Sequence, residues 1–311
     1  MDKWERVVVT GGTGFFGLNL VKALIGQGYY ETYPIGRKTL NLLDQEATIK
    51  YFINKTPDVV IHLAARVGGI QANRLNPFKF WFENISMGVN ILSACQFFKP
   101  KKIIMVCTTC AYPKLCPTPF KESDLWNGYP EETNAPYAIA KRDIMLGAMQ
   151  FEKDYGIPVR CPIPTNLYGP GDHYGDDSNH VIPALIEKFH KARVSESPKV
   201  TLWGDGSPTR DFLHVRDASL AIIKIMESAE TSDPINVGSG VEIAISDIAE
   251  TIADIVGYEG EIVWDTEKPN GQPKRVLDVN RLEALGWKQK IDLIDGLRET
   301  YEDYMRRFSD E

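Results

Sequence analysis

Positive charge is scarce along this chain: 35 Lys and Arg stand against 42 Asp and Glu, a net charge of −7. That balance argues against non-specific nucleic-acid binding, which needs a basic surface to displace counterions from phosphate. Long apolar runs are also missing. No stretch approaches the ~18 residues that span a bilayer. The charged opening Met1-Asp-Lys-Trp-Glu-Arg6 leads into a strand pattern and does not resemble a secretion signal. Cysteine is sparse. Cys95, Cys107, Cys110, Cys116 and Cys161 form an odd set in 311 residues, which suits a reducing cytosol better than a disulfide framework. Cys107-Thr-Thr-Cys110 has the spacing of a redox motif, but it closes a strand instead of opening a helix, and strand alternation turns its thiols apart. No second cysteine pair offers a zinc site.

What is present is an apolar share of 43%, enough for a sizeable core. Short apolar runs at 6–10, 58–62, 102–107 and 159–163 predict strands. Between them lie helical patterns. Phe16, Leu20 and Leu24 repeat at helical spacing until Gly26 and Gly28, residues 77–98 form a long helix, and 138–155 form one that starts at Tyr137. Such alternation predicts an α/β fold with a doubly wound parallel sheet. Residues 117–136 form a loop rich in Pro, Asn and Gly. Further on, 181–192 is helical, 199–203 is a strand, and 234–238 is the last strand of the sheet. Residues 247–256 form a helix capped by Ser246 and stopped by Gly257, and 293–308 form another.

Two motifs carry chemistry. The first strand runs into Thr10-Gly-Gly-Thr-Gly-Phe-Phe-Gly17 and then a helix. Glycines there permit a tight turn and close approach to a pyrophosphate, and the helix N-terminus offers free N–H groups. Gly11, Gly12, Thr13, Gly14, Phe15, Phe16 and Gly17 are the expected dinucleotide cradle. NAD sites of this type carry an acid ~20 residues on. Here Ile35-Gly-Arg37-Lys38-Thr39 has none, and its two cations suit the 2′-phosphate of NADP(H). A solvated basic turn is the alternative. Asp44 is placed near the adenine. The second motif is Tyr137-Ala-Ile-Ala-Lys141. Residues i and i+4 share a helix face, so Lys141 stands beside the Tyr137 phenol and is expected to lower its pKa for proton transfer. By itself the pair is an ordinary amphipathic motif.

Together these residues resemble the extended short-chain dehydrogenase/reductases, and among them the reductases that also epimerise a GDP-4-keto-6-deoxy sugar. The resemblance runs through His62-Leu-Ala-Ala-Arg-Val-Gly-Gly-Ile70, Cys110-Ala-Tyr-Pro113, Trp126-Asn-Gly-Tyr-Pro-Glu-Glu-Thr-Asn-Ala-Pro-Tyr137, Pro164-Thr-Asn-Leu-Tyr-Gly-Pro-Gly-Asp172, His180-Val-Ile-Pro-Ala-Leu185 and Trp203-Gly-Asp-Gly-Ser-Pro-Thr-Arg210. It implies that Tyr137 donates a proton to the oxygen on carbon 4 and that Lys141 holds the nicotinamide ribose. It places Thr108 where the family has serine. Cys110 and His180 become a second catalytic pair, inverting carbons 3 and 5. The ketone acidifies those positions, and thiol and imidazole titrate within reach of neutral pH. Pro164, Asn166, Leu167, Tyr168 and His180 are expected around the nicotinamide. Lys188, Trp203 and Arg210 are expected on the GDP-sugar, and Asn270 stands where the family's loop has Asp. Asp172, His173, Asp176, Asp177 and His180 could compose a metal site, but they are read as a polar substrate loop with one catalytic His; no metal is needed. The implied division is an NADP-binding domain of 1–166 plus 211–240 and a substrate domain of 167–210 plus 241–311, in a cytoplasmic homodimer. A 4-reductase without epimerisation, or a 4-epimerase on another nucleotide sugar, remains open.

Overall fold

The computed structural model describes residues 3, 5–175, 180–268 and 270–308, the side chain of Ile70 excepted. Val7, Val8 and Val9 present no polar side chain, so β1 (Val7–Thr10) is buried on both faces, as a central parallel strand must be. There follow α1 (Phe15–Gly26), β2 (Thr32–Ile35), α2 (Gln45–Lys55), β3 (Val59–His62), α3 (Ile70–Leu75), α4 (Pro77–Phe98), β4 (Lys102–Met105), α5 (Ala135–Tyr155), β5 (Val159–Pro164) and β6 (Asn166–Tyr168). The second half adds α6 (Val181–Val194), β7 (Lys199–Trp203), β8 (Thr209–Arg210), β9 (Phe212–His214), α7 (Val215–Ser228), β10 (Pro234–Val237) and β11 (Ile243–Ala244). It ends with α8 (Ile245–Val256), β12 (Glu261–Asp265), β13 (Lys274–Arg275), α9 (Asn280–Ala284) and α10 (Leu293–Phe308).

Six strands make the main sheet in the order β10-β5-β4-β3-β1-β2, and every pairing is parallel. The expected doubly wound α/β fold is present. Strand alternation divides the apolar residues between two cores. Val8, Val60, Ile103 and Met105 face Ile91, Cys95, Ile144 and Met145 of α4 and α5. Val7, Val9, Ile61 and Ile104 face Leu20 and Leu24 of α1 and Ile222 and Met226 of α7. The chain steps from β1 outward to β2 and then back across β1 to β3. That reversal opens a crevice at the carboxyl ends of β1 and β3, where ligands bind in open α/β sheets.

A third core, formed by Ile182, Ile186 and Phe189 of α6, Ile248 and Ile252 of α8 and Leu297 and Tyr304 of α10, lies over the parallel pair β7–β12. A small sheet, β11-β8-β13, lies at the edge of this unit, and the parallel pair β6–β9 links it to the main sheet. Leu277, Leu282 and Trp287 pack into the two cores of the main sheet, not into the third.

Three local expectations are corrected. The β4 ladder ends at Met105, short of Cys107. Helix α5 begins at Ala135, because Pro136 fits the first turn, where its missing N–H and fixed φ cost nothing. Ser246 does not cap α8. The helix starts at Ile245, so Ser246 already lies within its first turn, and its N–H bonds the Gly206 carbonyl. Gly257 does end α8, in the left-handed region at φ 75°.

Candidate active site

At the crevice the glycine turn is forced by packing. Gly11 has φ +71°, and a Cβ there would lie 2.8 Å from the Ala64 nitrogen. A Cβ on Gly17 would run into the Gly11 carbonyl oxygen and come within 2.6 Å of the Gly12 Cα. Gly14 precedes helix α1 and gives it no side-chain cap, and its first turn holds no acid, so its N-terminal N–H groups and positive dipole end face the crevice without a competing anion. A Cβ on Gly36 would strike the Thr13 side chain, so the turn carrying the exposed Arg37 and Lys38 lies against the glycine loop. Asp44 caps α2 by accepting the Ala47 N–H at 2.9 Å.

Around the end of β5 the expected residues diverge. Pro164 and Asn166 are partly buried, and the Asn166 amide donates to the Asp211 carbonyl at 3.0 Å. Leu167 packs against the α1–α7 core. The Tyr168 ring is part of the third core, and its hydroxyl donates to the Leu293 carbonyl at 3.5 Å.

Beside the crevice four chemical groups converge. A 3-10 turn at Thr109–Ala111 follows β4, and Thr108 caps it by accepting the Cys110 N–H at 3.3 Å. Cys110 thus sits on a turn and not at a strand end. Arg142 fixes that turn by donating from Nε to the Ala111 carbonyl at 3.0 Å. The Thr108 side chain hydrogen-bonds the Tyr137 phenol, and Cys110 lies close enough to act on it electrostatically. Lys141, one turn along α5, is buried, and its carbonyl accepts from the Cys107 thiol at 3.6 Å. Burial, and after it the neighbouring Cys110, push the Tyr137 pKa up, and the Thr108 bond pulls it down. Burial is the largest influence on the phenol, so its pKa is raised where the spacing of Lys141 led to the expectation of a lower one. Burial also lowers the Lys141 pKa.

His180 occupies the residue before α6 and makes no capping bond. The residue is exposed, yet protein crowds its imidazole enough to lower its pKa by desolvation. In the same segment Asp172 is buried. One oxygen accepts the His173 N–H at 2.8 Å, the other has no partner, and burial pushes the carboxyl up to about 6. Asp176 and Asp177 lie outside the described residues. Among the described residues no group of three or more His, Cys, Asp or Glu could hold a metal ion.

On the second unit, Lys188 donates to the Thr201 carbonyl at 2.7 Å, and Trp203 is 69% exposed. Arg210 donates to the Thr209 and Gln272 carbonyls at 2.7 and 2.8 Å, and burial together with Arg275 draws its pKa down to about 10. The Asn270 side-chain oxygen accepts the Asp205 N–H at 2.9 Å, tying its loop to the turn after Trp203. Three further residues belong to the site. Asn134 donates to the Cys110 sulfur at 3.3 Å, and Arg275 donates to the same sulfur at 3.8 Å. His62 bonds Thr10 at 2.8 Å across the crevice floor, and burial, with the Lys141 charge, holds it neutral with a pKa near 3. Asn134 and His62 lie inside the quoted motifs, whereas Arg275 lies outside them.

No helix of the described residues is long and apolar enough to cross a membrane. The chain is 41% identical to the GDP-L-fucose synthase of Escherichia coli (strain K12) over 307 residues, 96% of each protein. A GDP-L-fucose synthetase from Naegleria fowleri, solved bound to NADP, superposes with a TM-score of 0.89 at 29% identity, covering 100% of this chain and 97% of that one. A GDP-6-OMe-4-keto-L-xylo-heptose reductase from C. jejuni superposes with a TM-score of 0.93 at 26% identity over 99% of both chains. The model of the NAD dependent epimerase/dehydratase family matches residues 7–238, from β1 through the glycine turn, Tyr137 and Lys141 to the last strand of the sheet. With this match, and with the glycine crevice and the Tyr137–Thr108 contact in place, the chain belongs to that family.

Proposed function

We propose that the protein uses NADPH to epimerise carbons 3 and 5 and reduce carbon 4 of GDP-4-keto-6-deoxy-D-mannose, giving GDP-L-fucose or a close relative. One observation carries this reading: a thiol and a phenol share one recess, with Thr108 bonded to the Cys110 turn and to Tyr137. A reductase without epimerisation needs the phenol but has no use for Cys110 and His180.

The glycine turn fits a dinucleotide, since Gly11 and Gly17 leave no room for a Cβ and α1 begins uncapped. Gly11 to Gly17 would hold the pyrophosphate, Arg37 and Lys38 the 2′-phosphate, and Lys141, Pro164, Asn166 and Leu167 the nicotinamide end. When bound, the cofactor supplies the hydride for carbon 4. Tyr137, kept protonated by its raised pKa, donates the proton that carbon 4's oxygen needs. Thr108 hydrogen-bonds the phenol and orients it. Cys110 and His180 exchange protons at carbons 3 and 5, the ketone accepting the electron pair as an enolate. Lys188, Trp203 and Arg210 hold the GDP moiety, where a guanidinium suits a diphosphate and an exposed indole suits apolar contact.

Residues 1–166 and 211–240 form the cofactor domain, with 277–287 packed against it, and the rest forms the substrate domain. A second copy covers the α4–α5 face, where Phe78, Phe82, Val89 and Leu146 are exposed. All five cysteines are free, in keeping with a cytoplasmic enzyme. The reading is tested by supplying GDP-4-keto-6-deoxy-D-mannose with NADPH or NADH and identifying the product by NMR. GDP-L-fucose made faster with NADPH is expected. A reduced sugar unchanged at carbons 3 and 5 would reassign the protein as a 4-reductase.

A further inference from the structure

Cys110 is held by more than its own turn. Asn134, just before α5, donates to the sulfur at 3.3 Å, and the Nη1 of Arg275 donates to it at 3.8 Å. The guanidinium is not adrift. Its Nε and Nη2 both donate to the Gln272 side-chain oxygen, at 3.2 and 2.8 Å, which fixes one edge and aims the other at the sulfur. The β13–β8 ladder sets Arg275 beside Arg210. Tyr137 and Cys107 also face Cys110, but burial raises both of their pKa values and leaves them uncharged near neutrality. Among the described residues Arg275 is therefore the cation in contact with the sulfur.

We propose that Arg275, reaching over from the substrate domain, is a positioning residue that with Asn134 holds the Cys110 sulfur as a thiolate ready to remove a ring proton. The inference rests on the reading of Cys110 as an epimerising group. A cation and a hydrogen-bond donor both favour the charged form of a thiol. The thiolate takes the proton from the carbon beside the ketone and becomes a thiol, while the C–H electron pair passes into the enolate. Return of the proton to the opposite face, from the other member of the pair, completes the inversion.

The test needs neither sugar nor NADPH, so failure of the substrate assignment would leave it standing. The full chain is alkylated with iodoacetamide across a pH series, and labelling at Cys110 is followed by peptide mapping. In Arg275→Met the half-point of Cys110 labelling is expected to rise by about one unit or more. In Arg275→Lys, which keeps the charge, it stays near that of the parent. A half-point unmoved in Arg275→Met, or moved equally in Arg275→Lys, overturns the proposal. Where the neutral variant does not fold, Gln272→Ala releases the guanidinium without removing it. The half-point must still rise there, and no rise overturns the proposal.

Discussion

At the residue scale the site turns on which groups are kept neutral and which are held in place. Thr108 both caps the Cys110 turn and bonds the Tyr137 phenol. Thr108→Ala loses both contacts, so turnover is expected to fall by roughly tenfold to a hundredfold, since positioned proton transfer contributes about 10²–10⁴. Thr108→Ser keeps the hydroxyl and stays within a few fold, and NADPH oxidation rates check both. Asp172 makes a separate prediction about pH. Its folded pKa, pushed up to about 6 by burial, lies above the ordinary 3.8. Between those values the folded state keeps a proton that the unfolded chain has released, so stability falls as pH rises through that window. The cost above it is on the order of 3 kcal/mol. Asp172→Asn removes this titration. Its melting temperature relative to the parent should therefore climb between about pH 4 and pH 7, and a constant difference across that range would refute the assignment. The spacing of Tyr137 and Lys141 made the pair legible from sequence. The direction of the phenol's pKa was not, because it depends on how much water the folded recess excludes.

At the scale of elements, the glycine turn is the most constrained piece of backbone. A Cβ on Gly17 meets backbone on two sides, whereas one on Gly14 finds only the Gly11 carbonyl oxygen at 3.5 Å. Gly17→Ala is expected to cost about 1–3 kcal/mol by overpacking and to abolish NADPH binding, while Gly14→Ala melts as the parent does. Thermal melts with and without NADPH distinguish the two. Helices α4 and α10 were readable to the residue, because apolar periodicity over many turns leaves little freedom in their bounds. The strands β8, β11 and β13 were not, since two residues carry no period. Arg275 was missed with β13. Its role comes from a ladder to Arg210 that no local pattern announces. Ser246 looked like a cap from its residue type, but the helix begins one residue earlier, so Ser246 lies inside its first turn.

At the scale of the molecule, the sheet frames the glycine crevice and α5 holds Tyr137 beside it, and the second unit brings Arg210 and Arg275 toward Cys110. The doubly wound sheet was legible because its strands are buried apolar runs separated by helices. The packing of residues 277–287 onto the sheet was not, because the segment is short and distant in sequence from its partners. Assembly is a further prediction. Phe78 and Phe82 stack at 5.7 Å on an exposed face. Sedimentation should show a dimer, and Phe82→Glu together with Val89→Glu should yield a folded monomer. A parent chain that sediments as a monomer would remove the second copy from the account. The central claim is that one recess runs two separable reactions. It is tested most directly by incubating Tyr137→Phe, loaded with NADPH, with GDP-4-keto-6-deoxy-D-mannose in heavy water and following the sugar by NMR. The account predicts deuterium entering carbons 3 and 5 of a sugar that is not reduced. A folded, NADPH-binding variant that leaves both carbons unlabelled would contradict it.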